Sequence, residues 1–274
     1  WRIPYFGMLR SNGTSLTMIR RYDQFLPGWE MGKNEKFHVG DFNGDGRGDF
    51  VAHDKNHWAY PHLRIYTSTG NALSLRDRYY GLIERGSIKW PMRRRDNIHV
   101  LDFNGDGITD ISTFNGRDWS DVYLGLWIVN SKSSRMTGVR LYDTKESTDT
   151  TDVPGWTMTR RDTHYVADVN GDGNDDIVVY NKDNWSTEYL AILQSNGVNS
   201  LQGSWQSNWI GSWNLGNSDK FHVADFRGTS GWDDLIVYNN DWLGLLRSYS
   251  NVFVQETMYR KWIHNHRYHA SGWW

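Results

Sequence analysis

Asp41-Phe42-Asn43-Gly44-Asp45-Gly46-Arg47-Gly48-Asp49 decides the fold, because the same string returns twice more. The second copy is Asp102-Phe103-Asn104-Gly105-Asp106-Gly107-Ile108-Thr109-Asp110, and the third is Asp168-Val169-Asn170-Gly171-Asp172-Gly173-Asn174-Asp175-Asp176. Positions 1, 3, 5 and 9 carry side-chain oxygens, positions 4 and 6 are glycine, and position 7 offers its backbone carbonyl. A hard cation takes roughly six to eight oxygen ligands, and carboxylates held this close repel one another without one. The strings therefore predict three calcium sites. The first uses Asp41, Asn43, Asp45, Arg47 (carbonyl) and Asp49; the second Asp102, Asn104, Asp106, Ile108 (carbonyl) and Asp110; the third Asp168, Asn170, Asp172, Asn174 (carbonyl) and Asp176.

Two other readings compete. Asn, Asp and Gly also make plain turns that hold no ion, but three copies with matching oxygen positions favour calcium over that. An EF-hand needs a glutamate at position 12 and a helix on each side. Position 12 is Ala52, Thr113 or Val179 here, and the flanks read as strands. Magnesium fits less well, because it resists an all-protein cage. A fourth string, Asp225-Phe226-Arg227-Gly228-Thr229-Ser230-Gly231-Trp232-Asp233, puts a guanidinium at a ligand position. It is expected to be metal-free, with Arg227 bridging Asp225 and Asp233 in the ion's place.

Working outward, each string sits in a longer repeat. Trp29, Trp90, Trp156 and Trp213 each stand twelve residues before the first Asp, and Trp58, Trp119, Trp185 and Trp242 seventeen after it. Constant spacing implies one backbone geometry in all four copies. Variable stretches between these segments read as loops, and residues 1–28 repeat such a stretch: Tyr5-Phe6-Gly7-Met8-Leu9-Arg10-Ser11 echoes Trp242-Leu243-Gly244-Leu245-Leu246-Arg247-Ser248. The repeats run over about 29–89, 90–155, 156–212 and 213–272, with a half-repeat at 1–28, in a single domain 1–274. Short β-rich runs such as Phe37-His38-Val39, Asp49-Phe50-Val51-Ala52, Leu63-Arg64-Ile65-Tyr66 and Ala72-Leu73-Ser74-Leu75 give four strands per copy and almost no helix. The fold class is all-β, with four-stranded propeller blades, about five of them, and the metal loop between first and second strands.

Composition agrees. Sixteen Trp, 15 Tyr and 27 Gly in 274 residues, with an apolar fraction of 38%, describe a chain that buries rings and turns often. Lys plus Arg number 30 against 32 Asp plus Glu, so nothing draws nucleic acid or an anionic membrane to the whole chain. The basic run Arg93-Arg94-Arg95 reads as a solvated strand edge. The absence of cysteine excludes disulfides, thiolate metal sites and a thiol nucleophile. No apolar run is long enough to span a membrane, and the Trp1-Arg2-Ile3-Pro4 start has no signal-peptide character, so any such leader is already removed or never existed.

These strings resemble the FG-GAP/VCBS repeats of integrin α-subunit propellers, of secreted bacterial proteins and of some fungal lectins. The resemblance covers essentially the whole chain. It implies a propeller whose calcium stiffens each blade, and an extracellular location. Members usually have seven blades, whereas this chain holds four and a half, which leaves open whether it closes alone.

For function, a Trp beside Asp or Asn once per blade suits a lectin, since indole covers the apolar face of a sugar and the polar neighbour takes its hydroxyls. The carbohydrate candidates are Trp58, Asp118 with Trp119, Asn184 with Trp185, and Asp241 with Trp242. Trp29, Trp90, Trp156 and Trp213 read instead as wedges between blades. His38, His99 and His222, each three before its loop Asp, read as hydrogen-bonded residues of the blade core. Arg47-Gly48-Asp49 spells an adhesion tripeptide, but Asp49 is engaged in its own loop. Glycans are the favoured partners. A protein-binding adhesion module is the next reading, and a propeller polysaccharide lyase or hydrolase the last, because no single-copy catalytic constellation stands apart from the repeat.

Overall fold

The computed structural model describes residues 5–32, 35–54, 62–80, 82–85, 88–91, 96–118, 121–130, 136–143, 151–152, 158–159, 161–181, 189–228 and 231–260. Of residues 54, 62, 80, 82–85, 88–91, 116–118, 121–123, 140, 142–143, 151–152 and 189 only the backbone is described.

Among the described residues every regular element is a strand. Strand β1 (Tyr5–Ser11) pairs with β2 (Leu16–Asp23), and the short β3 (Phe25–Leu26) with β4 (Trp29–Glu30). The first full sheet is β5 (Lys36–Gly40), β6 (Asp49–Asp54), β7 (His62–Ser68) and β8 (Leu73–Tyr80), paired in that order and all antiparallel. A hairpin of β9 (Leu82–Arg85) and β10 (Ile88–Pro91) leads to the second sheet, β11 (Asn97–Leu101), β12 (Asp110–Asp118), β13 (Asp121–Val129) and β14 (Met136–Asp143). The third sheet joins β16 (Thr163–Ala167), β17 (Asp176–Asn181), β18 (Tyr189–Ser195) and β19 (Leu201–Gln206), with β15 (Thr151–Asp152) added in parallel beside β19. After the hairpin of β20 (Trp209–Ile210) and β21 (Trp213–Asn214), the fourth sheet holds β22 (Lys220–Ala224), β23 (Asp234–Tyr238), β24 (Trp242–Tyr249) and β25 (Val252–Arg260).

The chain is therefore all-β, built of successive four-stranded antiparallel meanders. The β-rich runs expected in the first repeat fall on β5 to β8. β1 and β2 resemble the last two strands of a meander in a specific way: a register shift between Met8 and Leu9 matches the one between Leu245 and Leu246. These are the positions that the echo of Tyr5–Ser11 in Trp242–Ser248 puts in register.

Two compact units divide the chain. One comprises residues 1–102 and 106–148, the other 103–105 and 149–274. In the first unit the face of one sheet packs on the next. Leu26, Trp29, Met31, Phe50, Ala52, Tyr66 and Leu73 form a core with Phe6, Met8 and Tyr22 of the β1–β2 hairpin. On the far side, Phe42, Val51, Leu63 and Ile65 meet Ile98, Ile111, Trp127 and Val129 of the second sheet. The second unit repeats the arrangement, with Val178, Tyr180, Leu190 and Ile192 against Phe221, Leu235, Val237, Leu246 and Phe253. Central strands are consequently covered on both faces: β17 reads Asp-Ile-Val-Val-Tyr-Asn with every residue buried, a continuous rather than alternating pattern.

Trp29 and Trp213 are buried in these intersheet cores, which agrees with the wedge reading for both. Trp90's side chain and Trp156 lie outside the described residues. Space for the Trp213 ring comes from the facing strand, since a β-carbon on Gly244 would lie 2.8 Å from Trp213 Cε3.

Of the three histidines expected in the blade core, His222 departs from that expectation. His38, His99 and His222 lie on β5, β11 and β22, the edge strands of their sheets; the first two are half-buried and His222 is exposed, stacked on Tyr238 at 5.4 Å. Strands β5 and β11 run beside each other, bringing His38 to His99. Burial, with the neighbouring His38, pushes the His99 pKa down to about 4. The unfolded chain, with an ordinary histidine, binds this proton more readily. The contribution of His99 to stability is thus lost as pH drops from about 6.5 towards 4. Urea midpoints of the natural chain should fall relative to those of His99→Gln across that window; parallel pH profiles for the two would remove His99 as a contributor.

Candidate functional site

Each repeated loop joins an edge strand to the buried second strand, and its first carboxylate organises the turn. In the first loop, Asp41 Oδ1 accepts the amides of Asn43, Gly44 and Asp45 at 3.2, 2.7 and 3.2 Å, and Oδ2 that of Gly46 at 2.6 Å. Asn43 Oδ1 accepts the Asp45 amide at 2.9 Å, and Asp45 Oδ1 the Arg47 amide at 2.9 Å. Asp168, Asn170 and Asp172 repeat these bonds with Gly171, Gly173, Asp172 and Asn174, and Asp102 accepts from Asp106 and Gly107. Gly44 and Gly46 have φ of 72° and 77°, where only glycine curls without strain.

The ninth position is buried and ties the loop to the sheet. Asp49 Oδ1 accepts the Ser68 amide at 2.6 Å, Asp110 Oδ1 that of Val129 at 2.7 Å, and Asp176 Oδ1 that of Ser195 at 2.8 Å. A second oxygen reaches back into the loop, from Asp49 to the Phe42 amide and from Asp176 to the Val169 amide, both at 3.2 Å. With Asp49 buried, Arg47-Gly48-Asp49 does not present its carboxylate to a receptor.

A hard divalent cation suits this donor set, which is made of carboxylate, amide and carbonyl oxygens. In the first loop Arg47 Nη1 donates to Asp45 Oδ2 at 2.9 Å; among the described residues the buried closing carboxylates have no such cation in the first and third loops. Burial, and then the nearby Asp172 and Asp168 carboxylates, push the Asp176 pKa up to about 7, and Asp49 is raised by burial with Asp45 and Asp41 adding to it. Among the described residues no three acidic or histidine side chains form a ready-made cage. The loop carboxylates are turned onto backbone amides instead.

The fourth loop corrects two sequence expectations. Its closing residue is Asp234, which pairs with Ala224 as Asp49, Asp110 and Asp176 pair with Gly40, Leu101 and Ala167, and which accepts the Ser248 amide at 3.0 Å. The loop is one residue longer than the others, so Asp225–Asp233 is not its full span. The constant spacing to Trp242 hides this, because the segment after Asp234 is one residue shorter. Arg227 bridges neither Asp225 nor Asp233: its Nη2 donates to buried Asp234 Oδ1 at 2.7 Å and to Ser248 O and Oγ at 3.1 and 2.7 Å. The guanidinium also lies 5.2 Å from the Trp232 ring centre.

A further recurring acid escaped the sequence reading. Six residues after each leading Trp stands Glu35, Asp96, Asp162 or Asp219. Gly32, Thr159 and Gly216, three after their Trp, donate amides to Glu35, Asp162 and Asp219. Asp219 is buried and also accepts Trp213 Nε1–H at 2.8 Å and an Asn239 amide hydrogen at 2.8 Å. Asn239 Oδ1 in turn accepts the amides of Asp241 and Trp242, each at 3.0 Å. The spacing itself was a signal, visible once the Trp register was known.

This network floors a cleft of about 440 Å³ in the second unit, lined by Trp209, Trp213 and Trp242 with Ser212, Asn214, Ser218, Asn239, Asn240, Asp241 and Met258. Trp209 is exposed, and Arg260 lies over the Trp242 ring at 5.4 Å. Of the expected sugar-binding pairs, Asp241 and Trp242 are brought together here. Trp58, Trp119, Asn184, Trp185 and the Asp118 side chain lie outside the described residues.

Removing the Arg227 guanidinium leaves Asp234 buried without its cation. Arg227→Ala is expected to cost on the order of 3 kcal/mol in denaturant unfolding. Arg247→Ala, which breaks the exposed Arg247–Glu256 pair, should cost less than about 1 kcal/mol. Equal losses would contradict the role given to Arg227.

No protein-family model matches the chain, and no curated protein sequence does. Among solved structures it is similar to the rhamnogalacturonan lyase PL11 of Bacillus licheniformis at 17% identity and a TM-score of 0.40, covering 76% of this chain and 41% of that one. It is also similar to the Tc holotoxin pore of Photorhabdus luminescens at 15% identity and a TM-score of 0.41, covering 89% of this chain and 14% of that one. The chain spans less than half the length of each, and both likenesses are distant.

Proposed function

We propose that this chain is a calcium-stabilised carbohydrate-binding module of the FG-GAP/VCBS type, whose four-stranded sheets are successive blades of one propeller. The observation that carries the reading is the cleft around Asp241 and Trp242. The accessible indole of Trp209 and the half-buried one of Trp242 line it above buried Trp213, with a ring of amides, hydroxyls and one carboxylate, the combination that takes the apolar face and the hydroxyls of a sugar. Its floor is rigid, because Trp213 and Asn239 are held by Asp219. Its rim is available: among the described residues the Asp241 carboxylate and Asn240 amide, unlike Asp219, have no hydrogen-bond partner.

Calcium stabilises the loops rather than acting on the sugar. It would be held by Asp41, Asn43, Asp45, the Arg47 carbonyl and Asp49, and by the corresponding residues from Asp102 and from Asp168. In the fourth sheet Arg227 stands for the ion. The setting proposed with this reading is extracellular, where free calcium is high enough to load weak sites. No described helix is long and apolar enough to cross a membrane.

Two measurements test the proposal. A glycan array followed by calorimetry should give sugar binding that Trp242→Ala or Asp241→Ala weakens about tenfold or more. Wild-type protein that binds no glycan but captures a protein ligand would replace the lectin with the adhesion module, and depolymerisation of a polysaccharide would replace it with an enzyme. Excess chelator should lower the melting temperature by several degrees, since an ion at about a hundred times its Kd adds about 2.7 kcal/mol per site. A melting curve indifferent to chelator would refute the calcium part alone.

A further inference from the structure

Within each unit, one loop is bonded at its first ligand by the loop of the following sheet. Thr109 N–H donates to Asp41 O at 2.7 Å, and Asp41 N–H donates back to Thr109 Oγ1 at 2.9 Å. In the second unit Asp233 N–H donates to Asp168 O at 2.7 Å, and Asp168 N–H to Asp233 Oδ2 at 3.1 Å. Thr109 and Asp233 both stand one residue before the closing Asp, because the fourth loop closes at Asp234.

The residue one step earlier in each loop covers a glycine of the loop before it. Ile108, nearly buried, lies against Gly44, where a β-carbon would approach Ile108 Cγ1 to 3.3 Å. Trp232 lies against Gly171 more closely still. The fit at Thr109 is equally tight, since a β-carbon on Gly40 would sit 2.5 Å from Thr109 Cγ2. Two pairs of loops, in different units and with different side chains, thus share one backbone-to-backbone latch and one glycine cover.

We infer that the residue before a loop's closing Asp is a positioning residue for the cation of the preceding loop: Thr109 sets the affinity of the Asp41 loop, and Asp233 that of the Asp168 loop. The reasoning is local. The first Asp gathers loop amides, four at Asp41 and two at Asp168, so its backbone position fixes where its carboxylate points, and the latch clamps that backbone on both its N–H and its C=O. A loop without the clamp has to order its first ligand when the ion binds, and affinity falls by the cost of that ordering. The inference rests on the calcium reading above, and it makes the fourth loop functional without an ion of its own. Arg227 orders a loop whose use is to hold the Asp168 loop in place.

Hydrogen-exchange mass spectrometry of the full chain against free calcium tests this loop by loop. Thr109→Val, which keeps the shape and removes the acceptor, should raise the calcium midpoint for protection of the 41–49 peptide about tenfold, while the midpoint of 102–110, the loop that carries the substitution, stays within about twofold. Thr109→Ser should stay near wild type. Asp233→Ala should shift the 168–176 peptide likewise, which keeps the test open if Thr109→Val fails to fold. A shift confined to 102–110, or no shift in 41–49 and 168–176, overturns the inference with calcium binding intact. Wild-type loops that gain no protection from calcium overturn the calcium reading itself.

Discussion

The fold turns on one carboxylate gathering several backbone amides. Asp41 and Asp168 each accept from amides of the turn that follows them, and this convergence carries the chain from an edge strand into a buried second strand within a few residues. Backbone donors at such a sharp corner have no ladder to pair with, and leaving them unpaired next to the core would be costly. Asp at the first position answers that, and the buried Asp at the ninth fastens the same corner to the third strand. What results is a rigid joint at the end of every meander.

The joint is also a charge problem. Several carboxylates lie within one short loop, and burial lifts the innermost of them, Asp176, towards neutrality. A divalent cation is one resolution, and the fourth sheet carries another. There the guanidinium of Arg227 reaches the buried Asp234 and the Ser248 carbonyl, so a fixed cation occupies the region of the missing charge. The loop is longer by a residue and its partner segment shorter by one, and the sheet geometry around Asp234 is nonetheless that of the other three.

The repeat, the strand runs and the three oxygen-rich loops were legible because they are local: each depends on residues a few positions apart. The sugar-binding candidates were legible as dipeptides, but the cleft was not. It needs Trp209 and Asn239, which enter through the hairpin before the sheet and the turn after its second strand. The acid six residues after each Trp was present in the repeat and went unread, since a lone carboxylate near a strand looks like a solvated one until its burial is seen. Arg227's partner was misjudged because equal Trp spacing concealed an insertion and a deletion that cancel. His222 shows the limit from the other side: a fixed place in the repeat located it on a strand but said nothing about whether that strand was at the edge.

The central claim is that the repeated loops hold divalent ions where the fourth holds a guanidinium. Crystals grown in calcium and measured at a wavelength where calcium scatters anomalously test it most directly. The account predicts peaks within the 41–49, 102–110 and 168–176 loops and none beside Arg227. Loops without a peak at millimolar calcium, or a peak between Asp225 and Asp234, would contradict it.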